Sequence, residues 1–407
     1  MDSSALGSQA DWLLALARSQ KRAAELLRRP EAEQKRLDYF HTLREICQQP
    51  WTWLSTCELM LESRATLREI VGGMRSLTLT GSGSSQYAAE CVHFAIRDDL
   101  RLSVDSVGGG ELLTYGGKVL PLNRPGLLIS LARSGDSPES RGAIEVLLDT
   151  EPELRHVVLT CNEQGSLTKK WRDPRKVYVI TLPRETNDQS LVMTSSFTNL
   201  LLAARVMGML DRPDEYERLC KGMSEIAKRV IAANFDVLAE IAKTNFERVV
   251  FLGSGSRLGA AREAALKMLE MTSGRVLSLS ETYLGFRHGP MSYVQEKTLI
   301  VGFLSADPIL RAYELDLLQE LDRKNLGLSK LIVGEAIPQQ VLRKKDVAIE
   351  CAGLTEFGDE EAATIDVVVG QLLGFFRCLE EGLRPDSPSE DGIIQRVVGK
   401  FPLHTSS

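Results

Sequence analysis

Two turns in the first half of the chain combine glycines with hydroxyl side chains. One apolar run ends in Gly81-Ser-Gly-Ser-Ser85 and a second in Leu131-Ala-Arg-Ser-Gly-Asp-Ser137, and a helical pattern follows each turn. The amino end of a helix presents unpaired N–H groups and the positive end of the helix dipole, so such turns bind anions. The hydroxyls predicted to hold a phosphate monoester together, without a metal, are those of Ser84, Ser85, Ser134 and Ser137.

The first turn also admits two other interpretations. A dinucleotide-binding turn needs a third glycine where this chain has Gln86, although Asp105 stands near the position of a ribose-binding acid. Taken singly, each serine is also a favoured N-cap residue. The phosphate interpretation depends on having two turns, because neighbouring parallel strands open their loops at the same edge of a sheet.

A different set of chemical side chains stands in the second half. Glu263-Ala-Ala-Leu-Lys-Met-Leu-Glu270 is followed by His288 in Phe286-Arg-His-Gly-Pro290. In a purely structural interpretation, these residues form a charge ladder, with Glu263, Lys267 and Glu270 at i,i+4 and i,i+3 spacing, beside a histidine in a turn. In a chemical interpretation, the carboxylate and the imidazole are groups that transfer protons. These residues by themselves leave both interpretations open.

The elements that would carry these residues repeat along the chain. Gly81 maps onto Gly253 at an offset of 172 residues, and Leu127–Leu131 maps onto Leu299–Phe303 at the same offset. The repeated runs are short and apolar and alternate with helical patterns, which predicts α/β layers around a parallel sheet in each half. The repeat fails where Ala306-Asp-Pro-Ile309 replaces the second serine turn, so only the first half is expected to keep both anion turns.

Three segments are predicted from this pattern. Residues 1–64 are expected to be a helical extension interrupted by Pro30 and Pro50, residues 65–212 a phosphate-binding domain, and residues 213–407 a domain carrying the acid and the histidine. The polar stretch Asp211-Arg-Pro-Asp214 marks the expected boundary between the two halves.

Composition excludes several classes of function. A net charge of −6 disfavours a nucleic-acid surface, which needs clustered basic residues. Seven cysteines without a C-x-x-C pair and five scattered histidines predict reduced thiols and no metal site or cofactor. No stretch approaches the roughly 20 apolar residues of a membrane span, and the amino-terminal charges run opposite to those of a secretory signal. The expected location is the cytoplasm, without a membrane partner.

Several runs of this sequence resemble a known family. The paired G-S-G-S turns, Thr160-Cys-Asn162, and Ala264–Pro290 with its L-K-x-x-E and H-G-P are similar to the sugar isomerase (SIS) domain. The runs that resemble its tagatose-6-phosphate ketose/aldose isomerase type, also described as galactosamine-6-phosphate deaminase/isomerase, are Leu43–Pro50, Ala132–Ser140, Glu185–Asp188, Met193–Phe197 and Gln395–Val398. The resemblance implies two tandem SIS domains, each a parallel sheet flanked by helices with Rossmann-like, flavodoxin-type layering.

The resemblance also implies roles for individual residues. By comparison with the isomerase half of glucosamine-6-phosphate synthase, Glu270 is the enolisation base and His288 the ring-opening histidine, donated by a neighbouring subunit. Two departures from that pattern are Ala132-Arg133 before the second serine turn and a Glu270–His288 spacing two residues longer. The substrate-binding residues expected in addition to the four serines are Arg133, Thr194, Ser195, Lys267 and Arg396.

The activity implied is conversion of D-galactosamine 6-phosphate to D-tagatose 6-phosphate and ammonia, through ring opening and proton transfer between C1 and C2. Two alternatives remain. One is aldose/ketose isomerisation of a sugar phosphate without deamination, and the other is a non-catalytic sugar-phosphate sensor. The family further implies a homodimer or a higher homo-oligomer with shared active sites.

Overall fold

The computed structural model describes residues 9–171, 173, 175–399 and 401–404. The chain divides into two compact units. One comprises Thr52–Asp188, Ser195–Lys221 and the residues from Asp391 onward, and the other comprises the residues up to Trp51, Gln189–Thr194 and Gly222–Glu390. Residues 9–51 thus group with residues 222–390, whereas residues 52–64 belong to the other unit. The boundaries after residues 64 and 212 stay a prediction.

The helices and strands alternate through both halves. The α-helices of the described residues are α1 (Gln9–Ser19), α2 (Lys21–Leu27), α3 (Glu31–Arg36), α4 (Phe40–Glu62), α5 (Arg64–Val71), α6 (Ser84–Leu100), α7 (Gly109–Tyr115), α8 (Pro138–Thr150), α9 (Ser166–Lys170), α10 (Ser195–Arg205), α11 (Pro213–Ala242), α12 (Ser256–Met271), α13 (Pro308–Arg323) and α14 (Asp359–Glu380). The strands are β1 (Ser76–Gly81), β2 (Ser103–Gly108), β3 (Gly126–Ala132), β4 (Leu154–Thr160), β5 (Val177–Thr181), β6 (Arg248–Leu252), β7 (Leu277–Glu281), β8 (Thr298–Phe303), β9 (Ser329–Gly334) and β10 (Val347–Glu350).

The first sheet is parallel, with the strand order β2-β1-β3-β4-β5. Every residue of β1 and β3 is buried, as expected of central strands covered on both faces. The chain passes from β1 to β2 on one side and then to β3 on the other. The topological switch point, where α/β sheets bind ligands, therefore lies between β1 and β3.

The second sheet repeats this topology in the order β10-β9-β8-β6-β7, again parallel. Its switch point lies between β6 and β8. The two sheets with their helices confirm the predicted α/β architecture. The sequence did not predict the edge strands β2 and β7, because polar residues interrupt the apolar residues of both.

The helix α4 runs through Pro50, where an interruption was expected. A proline inside a helix has no N–H to donate to the carbonyl four residues earlier. Here the carbonyl of Ile46 accepts instead from the side-chain amide of Gln49, at 2.9 Å. The side chain next to the proline thus replaces the missing backbone bond, and the helix continues.

The helix α14 has the length and hydropathy of a membrane-crossing helix, which the sequence analysis had not found. Within the fold, 94% of its most apolar stretch is buried. It packs against α12 at Gly370, where a Cβ atom would lie 2.6 Å from the Cβ of Ala264. The helix is therefore a core element, and its glycine lets the acid-bearing helix α12 approach closely.

Candidate active site

The turn between β1 and α6 is built by two glycines. A Cβ atom on Gly81 would lie 2.5 Å from the carbonyl carbon of Ser85, so no larger residue fits at the end of β1. Gly83 adopts φ +57°, in the left-handed region that glycine tolerates. It is also the N-cap residue of α6 and offers no capping side chain, while Ser84 and Ser85 are the first helical residues and are buried. The start of this helix is therefore suited to an anion.

The second turn, between β3 and α8, is held by its own side chains. The side-chain amide of Asn162 donates to the carbonyl of Ser134 at 2.9 Å, and Gly135 has φ +65°. The hydroxyl of Ser134 accepts from the backbone N–H of Asp136 at 3.2 Å. Ser137 is the N-cap residue of α8, but its hydroxyl donates to Ser140 at 2.7 Å and caps no backbone N–H. This helix too begins without a side-chain cap.

The two serine turns belong to neighbouring strands. β1 and β3 pair in parallel register, with Thr80 opposite Ser130. Both turns follow the carboxyl ends of these strands and open at the same edge of the sheet, on either side of the switch point. Hydroxyls and backbone N–H groups thus lie at one edge of the sheet, and their binding of a phosphate stays a prediction.

Arg133 and Arg396 were predicted as separate substrate-binding residues, and the structure joins them. The buried guanidinium of Arg133 donates to the backbone carbonyl of Arg396. Arg396 in turn donates from Nε to the carbonyl of Asp188 at 2.8 Å and from Nη2 to Asn187 Oδ1 at 2.7 Å. The carboxyl-terminal segment is thus tied to the residue that precedes the second serine turn.

Ser195 lies at the start of α10, with its hydroxyl fully buried. That hydroxyl accepts from the amide of Asn199 at 3.2 Å and lies 3.4 Å from the hydroxyl of Thr52. Its backbone N–H donates to the carboxylate of Asp188 at 3.1 Å. Its predicted contact with a phosphate stays a prediction, as does that of Thr194, which belongs to the other unit and is fully buried.

Asp188 is a residue that the sequence analysis did not single out. Its carboxylate caps α10 by accepting from the N–H groups of Ser195 and Ser196, at 3.1 and 2.9 Å. The sequence signal for an N-cap is a residue next to the helix, whereas Asp188 stands seven residues before it. Only the folded loop reveals this role.

The charge ladder of α12 is buried. Lys267 and Glu263 have no exposed surface, and Lys267 Nζ lies 3.4 Å from Glu263 Oε1. The same ammonium is bonded to Glu270, whose side chain keeps 23% of its surface exposed. An exposed ladder would be ordinary, but charged side chains are almost never fully buried without a partner or a role. Both buried charges have a partner, so the chemical interpretation stays a prediction, and Glu270 is the member of the set that solvent can reach.

His288 follows a short 3₁₀ turn and is exposed. Its backbone N–H donates to Gly285 at 2.9 Å, and the preceding Arg287 donates to Glu320 on α13 at 2.9 Å. Hydrogen bonds from Lys324 and Arg287 lower the pKa of Glu320 to about 2. The loop of His288 is thus anchored while its imidazole faces outward. Among the described residues, no three His, Cys, Asp or Glu side chains are grouped to hold a metal ion.

Comparison with known proteins places the chain in a family. A Streptomyces coelicolor protein, provisionally named D-galactosamine-6-phosphate deaminase AgaS, is 35% identical over 371 residues, covering 90% of this chain and 95% of that protein. The D-galactosamine-6-phosphate deaminase AgaS of a Shewanella species is 34% identical over 366 residues, covering 88% of this chain and 90% of its own. Tagatose-6-phosphate ketose/aldose isomerase from Escherichia coli has a crystal structure that matches with a TM-score of 0.81 at 29% identity, over 89% of this chain and 96% of that one.

No protein-family model matches the sequence. The similarities nevertheless extend over most of both chains, and the two parallel sheets carry the turns on which the resemblance was based. The chain therefore belongs to the AgaS family of sugar isomerases with two SIS domains.

Proposed function

We propose that this protein converts D-galactosamine 6-phosphate and water to D-tagatose 6-phosphate and ammonia. The observation that carries the proposal is the buried Lys267 between Glu263 and the partly exposed Glu270. The names of the relatives support the choice of substrate. The phosphate is assigned to the two serine turns, which offer hydroxyls and uncapped helix amino ends.

Each step has a group suited to it. His288 transfers the proton that opens the sugar ring and frees the C1 aldehyde. Glu270 removes the proton at C2, and protonation at C1 completes the transfer through an enolamine. The product is an imine at C2. Water adds to that carbon, the C–N bond breaks, ammonia leaves, and the C2 carbonyl of the ketose phosphate remains.

Lys267 explains how the carboxylate of Glu270 is held in one position on its helix. Its ammonium fixes the rotamer of Glu270 and keeps one positive charge beside two acids. Because Lys267 is fully buried, it does not exchange this contact for water. We assign it to positioning of the base, in place of the substrate contact that the family resemblance implied, because its ammonium is fully buried between the two acids.

Isomerisation without loss of ammonia is the second candidate, favoured by the structural match to the tagatose-6-phosphate ketose/aldose isomerase. Both reactions share ring opening and proton transfer, and they differ in whether C2 carries an amine. Ammonia and ketose release should be measured with galactosamine 6-phosphate and glucosamine 6-phosphate, and aldose–ketose exchange with tagatose 6-phosphate. Ammonia from galactosamine 6-phosphate supports the deaminase. Turnover of tagatose 6-phosphate alone supports the isomerase, and a raised melting temperature without turnover supports a sensor.

We further propose a cytoplasmic homodimer in which His288 serves the partner's site. All seven cysteines are free and buried, which suits a reducing compartment. Mixing Glu270→Gln chains with His288→Ala chains tests the shared site. A dimer with one chain of each kind then has one intact site, so about a quarter of wild-type activity returns on mixing. No recovery, with subunit exchange verified, places His288 in its own chain's site.

A further inference from the structure

The second sheet carries the same turn at its switch point as the first. Gly253-Ser-Gly-Ser256 follows β6, and Gly255 adopts φ +55°, matching the +57° of Gly83. Like Gly83, Gly255 is an N-cap residue without a capping side chain. The second half therefore retains the backbone geometry of the first anion turn, although its neighbouring turn has lost the serines.

A carboxylate from within the chain fills this place. Glu314 of α13 has no exposed surface. One of its oxygens accepts from the hydroxyl of Ser254 at 2.6 Å, and the other accepts from the backbone N–H of Ser305 at 2.7 Å. The donors come from the turn after β6 and from the loop after β8, on both sides of the switch point. They are the kinds of donor that the first half offers to a phosphate.

Counted from the first residue of each helix, Glu314 stands where the matching helix of the first half has an apolar residue. It is the seventh residue of α13, and the seventh residue of α8 is Ile144, which belongs to the apolar core. Burial raises the pKa of Glu314, against the hydrogen bonds from Ser254 and Ser305. An acid at a core position is costly unless it is bonded, so its two donors explain how the fold tolerates it.

The neighbouring anion contacts of the second half are also occupied by acids. Asp307, the N-cap residue of α13, accepts from the N–H groups of Ile309 and Leu310 at 2.8 and 2.9 Å. Its counterpart on α8, Ser137, makes no such cap. Asp359 accepts from the N–H of Ala306 at 2.8 Å. Acids of the chain thus accept from backbone N–H groups of the loop after β8, whereas the N-cap Ser137 after β3 accepts from none.

Two further side chains point to a ligand site. The hydroxyl of Ser256, whose residue is only 3% exposed, has no hydrogen-bond partner among the described residues. At the position of Ser85 in the repeat stands Arg257, whose guanidinium is held by both oxygens of Asp366 at 2.7 and 2.6 Å. A buried cation and an unused hydroxyl thus lie in the same turn as Ser254.

We propose that the second half holds a closed copy of the anion site, whose permanent ligand is the carboxylate of Glu314, and which takes a phosphate group only when that carboxylate is removed. The wild-type chain then binds phosphate in its first half alone. This inference rests on the contacts of the second unit and does not depend on the proposed reaction.

The test is the number of phosphates bound per chain, measured by equilibrium dialysis of the full-length protein with radiolabelled orthophosphate. Glu314→Ala removes the carboxylate and should bind one more phosphate per chain than wild type. Glu314→Gln keeps the volume of the side chain and should add none. Adding Ser254→Ala to Glu314→Ala removes a donor and should weaken the added site at least tenfold. An unchanged number in Glu314→Ala overturns the proposal.

Loss of a buried side chain can also destabilise the fold, so thermal unfolding provides a second readout. The melting temperature of Glu314→Ala should rise more with phosphate than that of wild type, compared with chloride at equal ionic strength. A variant that fails to fold in phosphate as well as in chloride contradicts the proposal, because phosphate should replace the carboxylate. If wild type binds none and Glu314→Ala binds one, the inference holds while the proposed phosphate site of the first half fails.

Discussion

Lys267 is bonded to Glu270 one turn further along α12, and this ammonium has no exposed surface. It also neutralises the buried Glu263, 3.4 Å away. One cation thus contacts an acid that is fully buried and an acid that reaches solvent.

Replacing Lys267 by methionine should lower the free energy of unfolding by about 3–5 kcal/mol, because it removes one partner of a buried ion pair. Adding Glu263→Gln should restore much of that stability by removing the buried acid. Activity should remain lost in both variants, since Glu270 has lost the group that positions it. Denaturant unfolding and turnover are measured side by side. Recovery of activity together with stability would show that Lys267 is only structural.

Gly370→Ala should impair both packing and turnover. The added Cβ would lie 2.6 Å from the Cβ of Ala264, so α12 must move, at a cost of about 1–3 kcal/mol. Gly374→Ala is the matched control, because its Cβ would meet the flexible sulfur of Met271 at 3.1 Å. Melting temperature and kcat are compared for the two. Equal behaviour of the two variants would contradict a close approach specific to Gly370.

The proposed phosphate contact of the second serine turn can be tested with two serines that are hydrogen-bonded to each other. Ser137 donates to Ser140 at 2.7 Å, so either alanine variant removes that bond. Only Ser137→Ala also removes a proposed phosphate contact, and a hydrogen bond to a charged group contributes about 1.5–3 kcal/mol. KM for the sugar phosphate should therefore rise roughly tenfold or more with Ser137→Ala, with kcat less affected. A similar rise with Ser140→Ala would argue against the assignment.

The buried His156 should make the stability of the fold sensitive to acid. Burial lowers the pKa of this imidazole to about 4, and neither ring nitrogen has a hydrogen-bond partner among the described residues. Between about pH 6.5 and pH 4 the unfolded chain binds a proton that the folded chain does not. The free energy of unfolding should therefore fall as the pH drops through this range, by on the order of 3 kcal/mol in total.

The measurement is denaturant unfolding at pH 7.5 and pH 5 for wild type and His156→Leu. The variant should lose less stability on acidification than wild type. His404→Gln, at an exposed position near the carboxyl end, is the control and should behave like wild type. An unchanged pH dependence in His156→Leu would refute the assignment.

The sequence predicted those parts of the fold that are repeated or apolar. The G-S-G-S turns and their runs identify β1 and β3 with their partners β6 and β8, because central parallel strands are buried on both faces. β2 and β7 were not identified because polar residues interrupt their apolar residues, so neither forms an apolar run. The interruption expected at Pro50 was wrong for a different reason. The hydrogen bond from Gln49 that compensates for the proline is a side-chain contact, which helix propensities do not describe.

The candidate site was predicted residue by residue, but its connections were not. The contact of Arg133 with the carbonyl of Arg396 joins positions 263 residues apart. The burial of Glu314 could not be predicted either, because an acid on an amphipathic helix is expected at the surface. Motif spacing identifies reactive groups, whereas long-range contacts decide what holds them.

The role proposed for Glu270 is that of the base that moves the C2 proton. It is tested most directly by following galactosamine 6-phosphate in D₂O by NMR, together with ammonia release, for wild type, Glu270→Gln and the exposed control Glu296→Gln. Glu270→Gln should fold and still bind the sugar phosphate but lose both deuterium exchange and ammonia release by about 10²–10⁴-fold, with Glu296→Gln unchanged. Exchange and ammonia release at the wild-type rate in Glu270→Gln would contradict this role.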